Sequence, residues 1–418
     1  MNTEPYPTSD LTAHEGGAPG RPPKRGLVAR ASGLLGGLAL LSSSAVPAAI
    51  AVPAPTAGNT VSSAVSTAPQ RDSDTRNTSL GIRITEEQEE ATEKGLRWLA
   101  DHQSEDGSWT AGVGYKLNDR YRTTREGDGH VGVTSLAGIA FLGGGHLPGR
   151  GKHGRTLDKC IDYVLSCVND DGYISRGGTR MYSHAFSTLF LAEVFGMSHR
   201  EDVRIRLQKA IDFIVKSQND EGGWRYEPLA RDSDMSIVVC QVLALRAARN
   251  IGIRVPKSTI DQAIRYVVDS AVTGSGGRMD RFIGVGTFSY QRQARSRTTF
   301  PLTAAGVTAL NGLGIYSDEL IDRGVDFLNA EMDRFNHRYG MNGHYFFWYG
   351  HYYGVQAMYT KGGNDWKNYF TRMRSFLLKR QRPDGSWMNS VGPGEAFSTA
   401  MACLILEIPY DFLPIFHR

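Results

Sequence analysis

One turn recurs along this chain, and a turn that recurs between apolar segments commits a sequence to a repeat architecture before any single element is assigned. It reads Gln103-Ser-Glu-Asp-Gly107-Ser-Trp109, Gln218-Asn-Asp-Glu-Gly222-Gly-Trp224 and Gln381-Arg-Pro-Asp-Gly385-Ser-Trp387, with a weaker copy at Asn169-Asp-Asp-Gly172-Tyr-Ile174. Each copy follows an apolar helical segment. The glycine can end that helix at positive φ. The glutamine amide can bond backbone while the indole covers the helix end.

A second apolar helix follows each turn: Val131 to Leu142, Ala185 to Phe195, Met235 to Ala248, Leu302 to Leu313, Tyr353 to Tyr359 and Ala396 to Leu406. Two further first helices, Ile260 to Ser270 and Leu320 to Asp333, complete six helix pairs without the Gln and Trp. The second helices are rich in Ala, Gly, Ser, Thr and Val, apolar nearly all round, and belong inside. The first helices carry charge on one face, as Glu89, Glu90, Glu93, Lys94 and Arg97 do, and belong outside. The expected fold is all-α: an inner and an outer ring of helices, an (α/α)6 toroid if the array closes, or an open superhelix if it does not.

The Gln-x-x-x-Gly-x-Trp turns resemble the QW repeats of squalene and oxidosqualene cyclases and of protein prenyltransferase β subunits, over about residues 85 to 418. The segments Met181-Tyr-Ser-His184-Ala, Asp232-Ser-Asp-Met-Ser236 and Phe346-Phe-Trp-Tyr-Gly-His-Tyr-Tyr-Gly354 are similar to prenyltransferase and squalene oxidase repeat proteins common in planctomycete genomes. The resemblance implies an (α/α)6 toroid. Triterpene cyclases use two such barrels, and this chain has room for one.

Ahead of the repeats, residues 1–51 read as a signal peptide with a polar extension. Arg21, Lys24, Arg25 and Arg30 precede an apolar run from Ala31 to Ala51 that ends in Ala49-Ile50-Ala51, the A-x-A form of a cleavage site. Ser42 to Ser44 and Pro47 interrupt the run short of the roughly 20 apolar residues a membrane span needs, so the mature chain is expected to lack a transmembrane segment and to be exported, periplasmic or extracellular. Residues 52–80, rich in Pro, Ala, Ser and Thr, read as a disordered tether, leaving 81–418 for the toroid. The 47 basic and 43 acidic side chains give a formal charge of only +4, with no basic stripe, which argues against a nucleic-acid partner. Cys160 and Cys167, two helical turns apart, are too distant for a disulfide, and the four cysteines read as buried apolar side chains.

In a toroid the inner-helix N-termini converge at one mouth, where helix dipoles and unpaired N–H groups meet polar side chains. Asp232-Ser233-Asp234-Met235-Ser236 resembles the D-x-D-D-T motif of class II terpene cyclases, which makes Asp234 the candidate general acid and Asp232 its neighbour. Met235 stands where the last Asp belongs, and the alternative is that Asp234 or Ser233 caps the helix that follows. His130, Tyr182 and His184 also open inner helices. Trp348, His351, Tyr352 and Tyr353, in the densest aromatic cluster of the chain, are candidates to line a ligand pocket, with Phe346 and Phe347 packed between layers. The zinc triad of prenyltransferase β subunits does not carry over, because no cysteine stands beside the rim aspartates. No cofactor and no metal site are expected.

The reading is an exported repeat protein that binds a ligand or partner in or at the mouth of its central cavity, with an isoprenoid lipid, a glycan or a protein as the partner. Two alternatives stand beside it. One is an isoprenoid enzyme of the terpene-cyclase type with Asp234 as acid, which requires a deep apolar cavity. The other is a polysaccharide-active toroid enzyme, which requires an open groove lined with carboxylates.

Overall fold

A computed structural model of the chain describes residues 81–111, 128–198, 200–272, 286–292 and 298–416. Twelve α-helices lie among them, taken in pairs: α1 (Glu86–Asp101) and α2 (Val131–Gly143), α3 (Gly154–Ser166) and α4 (Met181–Ser198), α5 (Glu201–Ser217) and α6 (Met235–Asn250), α7 (Lys257–Asp269) and α8 (Phe300–Gly312), α9 (Glu319–Phe335) and α10 (Tyr345–Lys361), and α11 (Gly363–Leu378) and α12 (Glu395–Glu407). The even-numbered helices pack on one another in sequence, α2 on α4, α4 on α6, through to α10 on α12, and α12 returns to α2. The ring is closed. The chain is an α/α toroid, and the open-superhelix alternative is excluded.

Composition sorts the two layers. Every residue of α2 is buried, as expected of a helix enclosed on all sides. In α9 the buried residues Ile321, Gly324, Val325, Leu328, Met332 and Phe335 form one stripe, leaving the charged face outside. Small residues set the approach of neighbours: a Cβ on Gly95 of α1 would stand 2.6 Å from Cys403 Sγ of α12. Cys160, Cys167, Cys240 and Cys403 are all buried and free. Among the described residues no helix is long and apolar enough to cross a membrane.

The recurring turn is the clasp between adjacent pairs. Gln103 Nε2 donates to the carbonyl of Gly107 in its own turn and of Thr156 in α3. Gln218 does the same to Gly222 and to Thr259 in α7, and Gln381 to Gly385 and to Ala91 in α1. Each indole N–H caps the outer helix just ended: Trp109 on Leu99, Trp224 on Ile214, Trp387 on Leu377. Gly107, Gly222 and Gly385 hold φ of +90°, +87° and +96°, and a Cβ there would stand 2.2 to 2.5 Å from a carbonyl oxygen of the next outer helix. The third clasp closes the ring, and the buried Gln88 amide of α1 reinforces it by donating to Leu406 O at 2.7 Å.

The two mouths of the ring differ. At the C-terminal ends of the inner helices the tail folds back: Leu413, Ile415 and Phe416 are buried, with the turn Pro414–Phe416 set against α6. A residual pocket between Arg246, Asn311, Gln356 and Phe416 amounts to about 10 Å³, room for one water at most.

Candidate functional site at the N-terminal mouth

The inner helices run parallel: Gly132 and Ser135 of α2 face Ser183 and Ser187 of α4, and Gly138 faces Phe190. Their N-termini therefore share one mouth. The unpaired N–H groups there are met in a regular way. Side chains of His130, Asp234, Thr299 and His344 cap α2, α6, α8 and α10. The first N–H of α4 donates to Tyr226 O and that of α6 to Tyr290 O, each carbonyl coming from the loop of the following pair. Tyr226 and Tyr290 stand two residues beyond Trp224 and Phe288, so the turn after each of these outer helices also delivers a tyrosine to the rim.

Four half-buried tyrosines gather there. Tyr182 packs 5.8 Å from Tyr226 and 6.4 Å from Tyr349, centroid to centroid, and the hydroxyls of Tyr226 and Tyr290 are hydrogen-bonded to each other. Beneath them runs a hydroxyl chain. Tyr182 donates to Ser236 Oγ at 2.6 Å, and Ser236 donates to Asp234 Oδ1, which also takes the Ile237 N–H. Tyr349 donates to Ser236 O at 2.9 Å. Asp234 is fully buried and its Oδ2 has no protein partner. Burial pushes its pKa up, against the Ser236 and Ile237 hydrogen bonds and the more distant Arg225 charge. A carboxyl in this state can carry its proton on Oδ2 while Oδ1 accepts. Asp232 is not part of this arrangement: its carboxylate is exposed and bonded to Arg225 and Gln291.

Among the described residues, buried aromatic side chains pack together below the rim. Tyr352 and Tyr353 are buried, 4.9 Å apart, with Phe186 6.2 Å from Tyr352 and Cys240 Sγ 3.0 Å from the Tyr353 hydroxyl. The sequence candidates thus divide. Asp234, Tyr182 and His130 stand at the mouth, with His130 capping α2 through Nδ1 at 3.2 Å and its pKa pushed down by burial to about 4. Tyr352 and Tyr353 form the floor. His184 points the other way, against Tyr173 and Phe213, and its Nδ1 accepts the Ile174 N–H at 3.0 Å. Thr134 and Thr303, one turn into α2 and α8, accept from Trp109 and Phe288 in the same manner, so His184 holds a repeat position. His351 is buried between layers, bonded to the Tyr369 hydroxyl and the Asn336 amide oxygen. Trp348 is buried beside Phe347, and Phe347 packs between layers as expected. The aromatic cluster is itself the first half of α10, which starts at Tyr345 rather than Tyr353, with His344 as its cap.

Tyr226, Tyr290 and Ser236 belong to the mouth, Cys240 to its floor, and none was among the sequence candidates. For the first two a signal existed, a tyrosine two residues after the aromatic of the turn.

No curated protein matches the chain. Among solved structures, the fold is similar to an inactive variant of an alpha-1,6-mannanase from Salegentibacter sp. in complex with alpha-1,6-mannotriose. The TM-score is 0.54 at 7% identity, over 77% of this chain and 98% of the other. It is similar to a type II terpene cyclase from Scytonema in complex with geranylgeranyl dihydroxybenzoate, at TM-score 0.51 and 13% identity, over 78% of this chain and 98% of the other. An alpha-amylase from Clostridium perfringens gives TM-score 0.50 at 8% identity, over 77% and 98%. Identities this low speak for the fold alone. Residues 77–283 match the family described as the prenyltransferase alpha-alpha toroid domain. With that match and the closed double ring, the chain is an alpha-alpha toroid whose residues 77–283 carry the prenyltransferase alpha-alpha toroid domain.

Proposed function

We propose that the protein is exported and binds a ligand at the tyrosine-lined N-terminal mouth of its ring. The observation that carries this reading is the contrast between rim and centre. Tyr182, Tyr226, Tyr290 and Tyr349 are half-buried around the mouth, while Tyr352, Tyr353 and Phe186 close the space beneath. Tyrosine faces offer flat apolar contact and hydroxyls offer hydrogen bonds, a combination suited to a ligand with both an apolar face and hydroxyl groups. The donor direction adds to this. Tyr182 spends its proton on Ser236, so its oxygen presents lone pairs to a donor from the ligand. An oligosaccharide satisfies both demands and needs no deep chamber. The mannanase that shares the fold takes alpha-1,6-mannotriose. Export rests on the basic cluster, apolar run and A-x-A site within residues 1–51, with residues 52–80 as tether.

A second reading has one specific support, the raised pKa of the buried Asp234. A protonated carboxyl under an aromatic rim is what alkene protonation requires, and the terpene cyclase that shares the fold takes geranylgeranyl dihydroxybenzoate. Tyr352, Tyr353 and Phe186 stand packed together beneath the rim, where such a chain would have to fold, which places this reading second.

The test is binding of oligosaccharides and of isoprenoid alcohols to the full chain, by calorimetry, for wild type and for Tyr182→Ala and Tyr349→Ala. Saccharide binding lost in both variants is the expected result. Turnover of an isoprenoid that disappears in Asp234→Asn would establish the second reading. Wild-type binding that both variants retain would remove the mouth from consideration.

A further inference from the structure

A second cluster of polar side chains lies away from the mouth, where the outer helix α1 meets the loop between α2 and α3. Glu93 of α1, His146 of that loop and His153, which precedes α3, each offer a ligand atom, and these atoms all lie within 4.8 Å of one another. The two imidazoles stand edge to face, 4.6 Å between centroids, and His153 Nε2 is 3.7 Å from Glu93 Oε1. His153 is 3% exposed and its Nε2 has no hydrogen-bond partner. A buried ring nitrogen left unpaired loses its hydration with nothing in return, and such a group calls for an explanation. Phe141, fully buried, backs both rings at 6.3 and 5.0 Å.

A second unpaired group flanks the same loop. Glu407, the last residue of α12, is buried with neither carboxyl oxygen bonded. It flanks the same backbone as His146: a Cβ on Gly144 would stand 3.3 Å from Glu407 Oε1 and 3.4 Å from His146 Cδ2. A cation already attends the cluster, because the half-exposed Lys152 ammonium is paired with Glu93 Oε1.

We propose that Glu93, His146 and His153 form a binding site for one divalent transition-metal ion, zinc by its donor set, with the remaining coordination positions open to water. Two imidazoles and one carboxylate are the protein ligands of many zinc sites that keep an open position, and the same set suits Fe(II). Glu93 and His146 are partly exposed, so an ion can enter and water can reach it. Bonds of about 2 Å hold tetrahedral donors roughly 3.3–3.5 Å apart, so the three groups close by about 1 Å on loading, within the reach of χ rotation. Lys152 must leave Glu93 as the ion arrives. The site joins α1 to the following pair from outside the ring, and it is independent of the ligand mouth.

The test is calorimetric titration of Zn²⁺ into the full chain after treatment with a chelator, with Co²⁺ absorption as a second readout of tetrahedral nitrogen and oxygen ligation. One equivalent is expected to bind. His146→Ala and His153→Ala should each weaken binding by about 100-fold or more, since even loss of an outer-shell partner costs 10–100-fold. Lys152→Ala should tighten it by up to about 5-fold, the worth of the surface ion pair it releases. His337→Ala, at an exposed histidine after α9, should change nothing. If His153→Ala fails to fold by circular dichroism, the partly exposed His146 decides. Absence of saturable Zn²⁺ binding in wild type, or binding of unchanged strength in His146→Ala, would overturn the proposal.

Discussion

The seam between α12 and α1 decides whether the repeats act as a ring or as a row, and Gln381→Ala tests it against Gln218→Ala. Both side chains are half-buried, and each donates from Nε2 to two backbone carbonyls, at 2.7 and 2.9 Å for Gln381 and at 2.9 Å twice for Gln218. At about 1 kcal/mol net for each hydrogen bond, either substitution should cost about 2 kcal/mol. For a domain of this size that is a fall in Tm of about 4 °C. The equality is the informative part. In a closed ring the clasp at the chain ends has the same neighbours as any other, so the two variants should match in urea midpoint. In a row, Gln381 would keep its own-turn bond to Gly385 and lose the one to Ala91, and its replacement would cost about half as much. Gly385→Ala sharpens the comparison, because φ is +96° and the new Cβ would stand 2.5 Å from Lys94 O. Left-handed strain of about 1–2 kcal/mol plus that clash should make it worse than Gln381→Ala. Urea denaturation followed by circular dichroism reads all three. A Gln381→Ala cost at or below half that of Gln218→Ala would refute ring closure in solution.

Three further outcomes are expected. Asp234→Ala should destabilise by about 1–2 kcal/mol through the lost cap of α6, whereas Asp234→Asn, which also caps well, should stay within about 0.5 kcal/mol in the same denaturation assay. Glu193 of α4 is 2% exposed, and burial raises its pKa to about 8, partly offset by the Ile415 N–H. An acid raised on folding leaves stability intact below the unfolded value and drains it as pH climbs toward the folded one. Glu193→Gln should therefore match wild type near pH 4 and exceed it near pH 8, by roughly 4 kcal/mol if the shift is borne in full, and equal stabilities at both pH values would disprove it. Ending the chain after Phe412 removes Leu413, Ile415 and Phe416 from their buried sites, at about 1.5–3 kcal/mol for each side chain. A drop in Tm below about 5 °C would show that the tail does not plug the ring.

The clasp was legible in the sequence because each of its residues answers a separate physical need: an amide for two carbonyls, a glycine for positive φ, an indole for a helix end. Which helix the second carbonyl belongs to was not legible, and with it went the choice between ring and superhelix, since that contact joins residues as far apart as Ala91 and Gln381. His184 shows the opposite failure. Read alone, a histidine opening a helix suggests chemistry; aligned by repeat, it occupies the place of Thr134 and Thr303 and accepts the same kind of backbone N–H. The start of α10 was missed by eight residues, because Tyr345-Phe-Phe-Trp-Tyr suits strand or helix equally and His344 is an unfamiliar cap. The cluster of Glu93, His146 and His153 carried no sequence spacing that marks a metal site, because an outer helix and a loop bring its members together only in three dimensions.

Asp234 was weighed as either a cap or an acid, and its surroundings make the two roles compatible. Capping asks for one acceptor, which Oδ1 supplies to Ile237 N–H and Ser236. Oδ2 is left over, buried and unpaired. A cap alone gives no reason for a carboxyl here. Asn or Ser caps a helix as well as Asp does without a group that is costly to ionise when buried, and the described caps of α2, α8 and α10 are His130, Thr299 and His344. A ligand at the proposed mouth would give that free oxygen a role beyond capping. From Oδ1, the other oxygen of the same carboxyl, the hydrogen-bond chain runs outward through Ser236 to Tyr182, whose ring meets the rim. Asp234→Asn should therefore separate the roles: the helix stays capped and the fold keeps its stability, while ligand affinity at the mouth changes and loses the pH dependence that a titrating carboxyl confers. A variant that keeps wild-type affinity at every pH would leave Asp234 as a cap and nothing more.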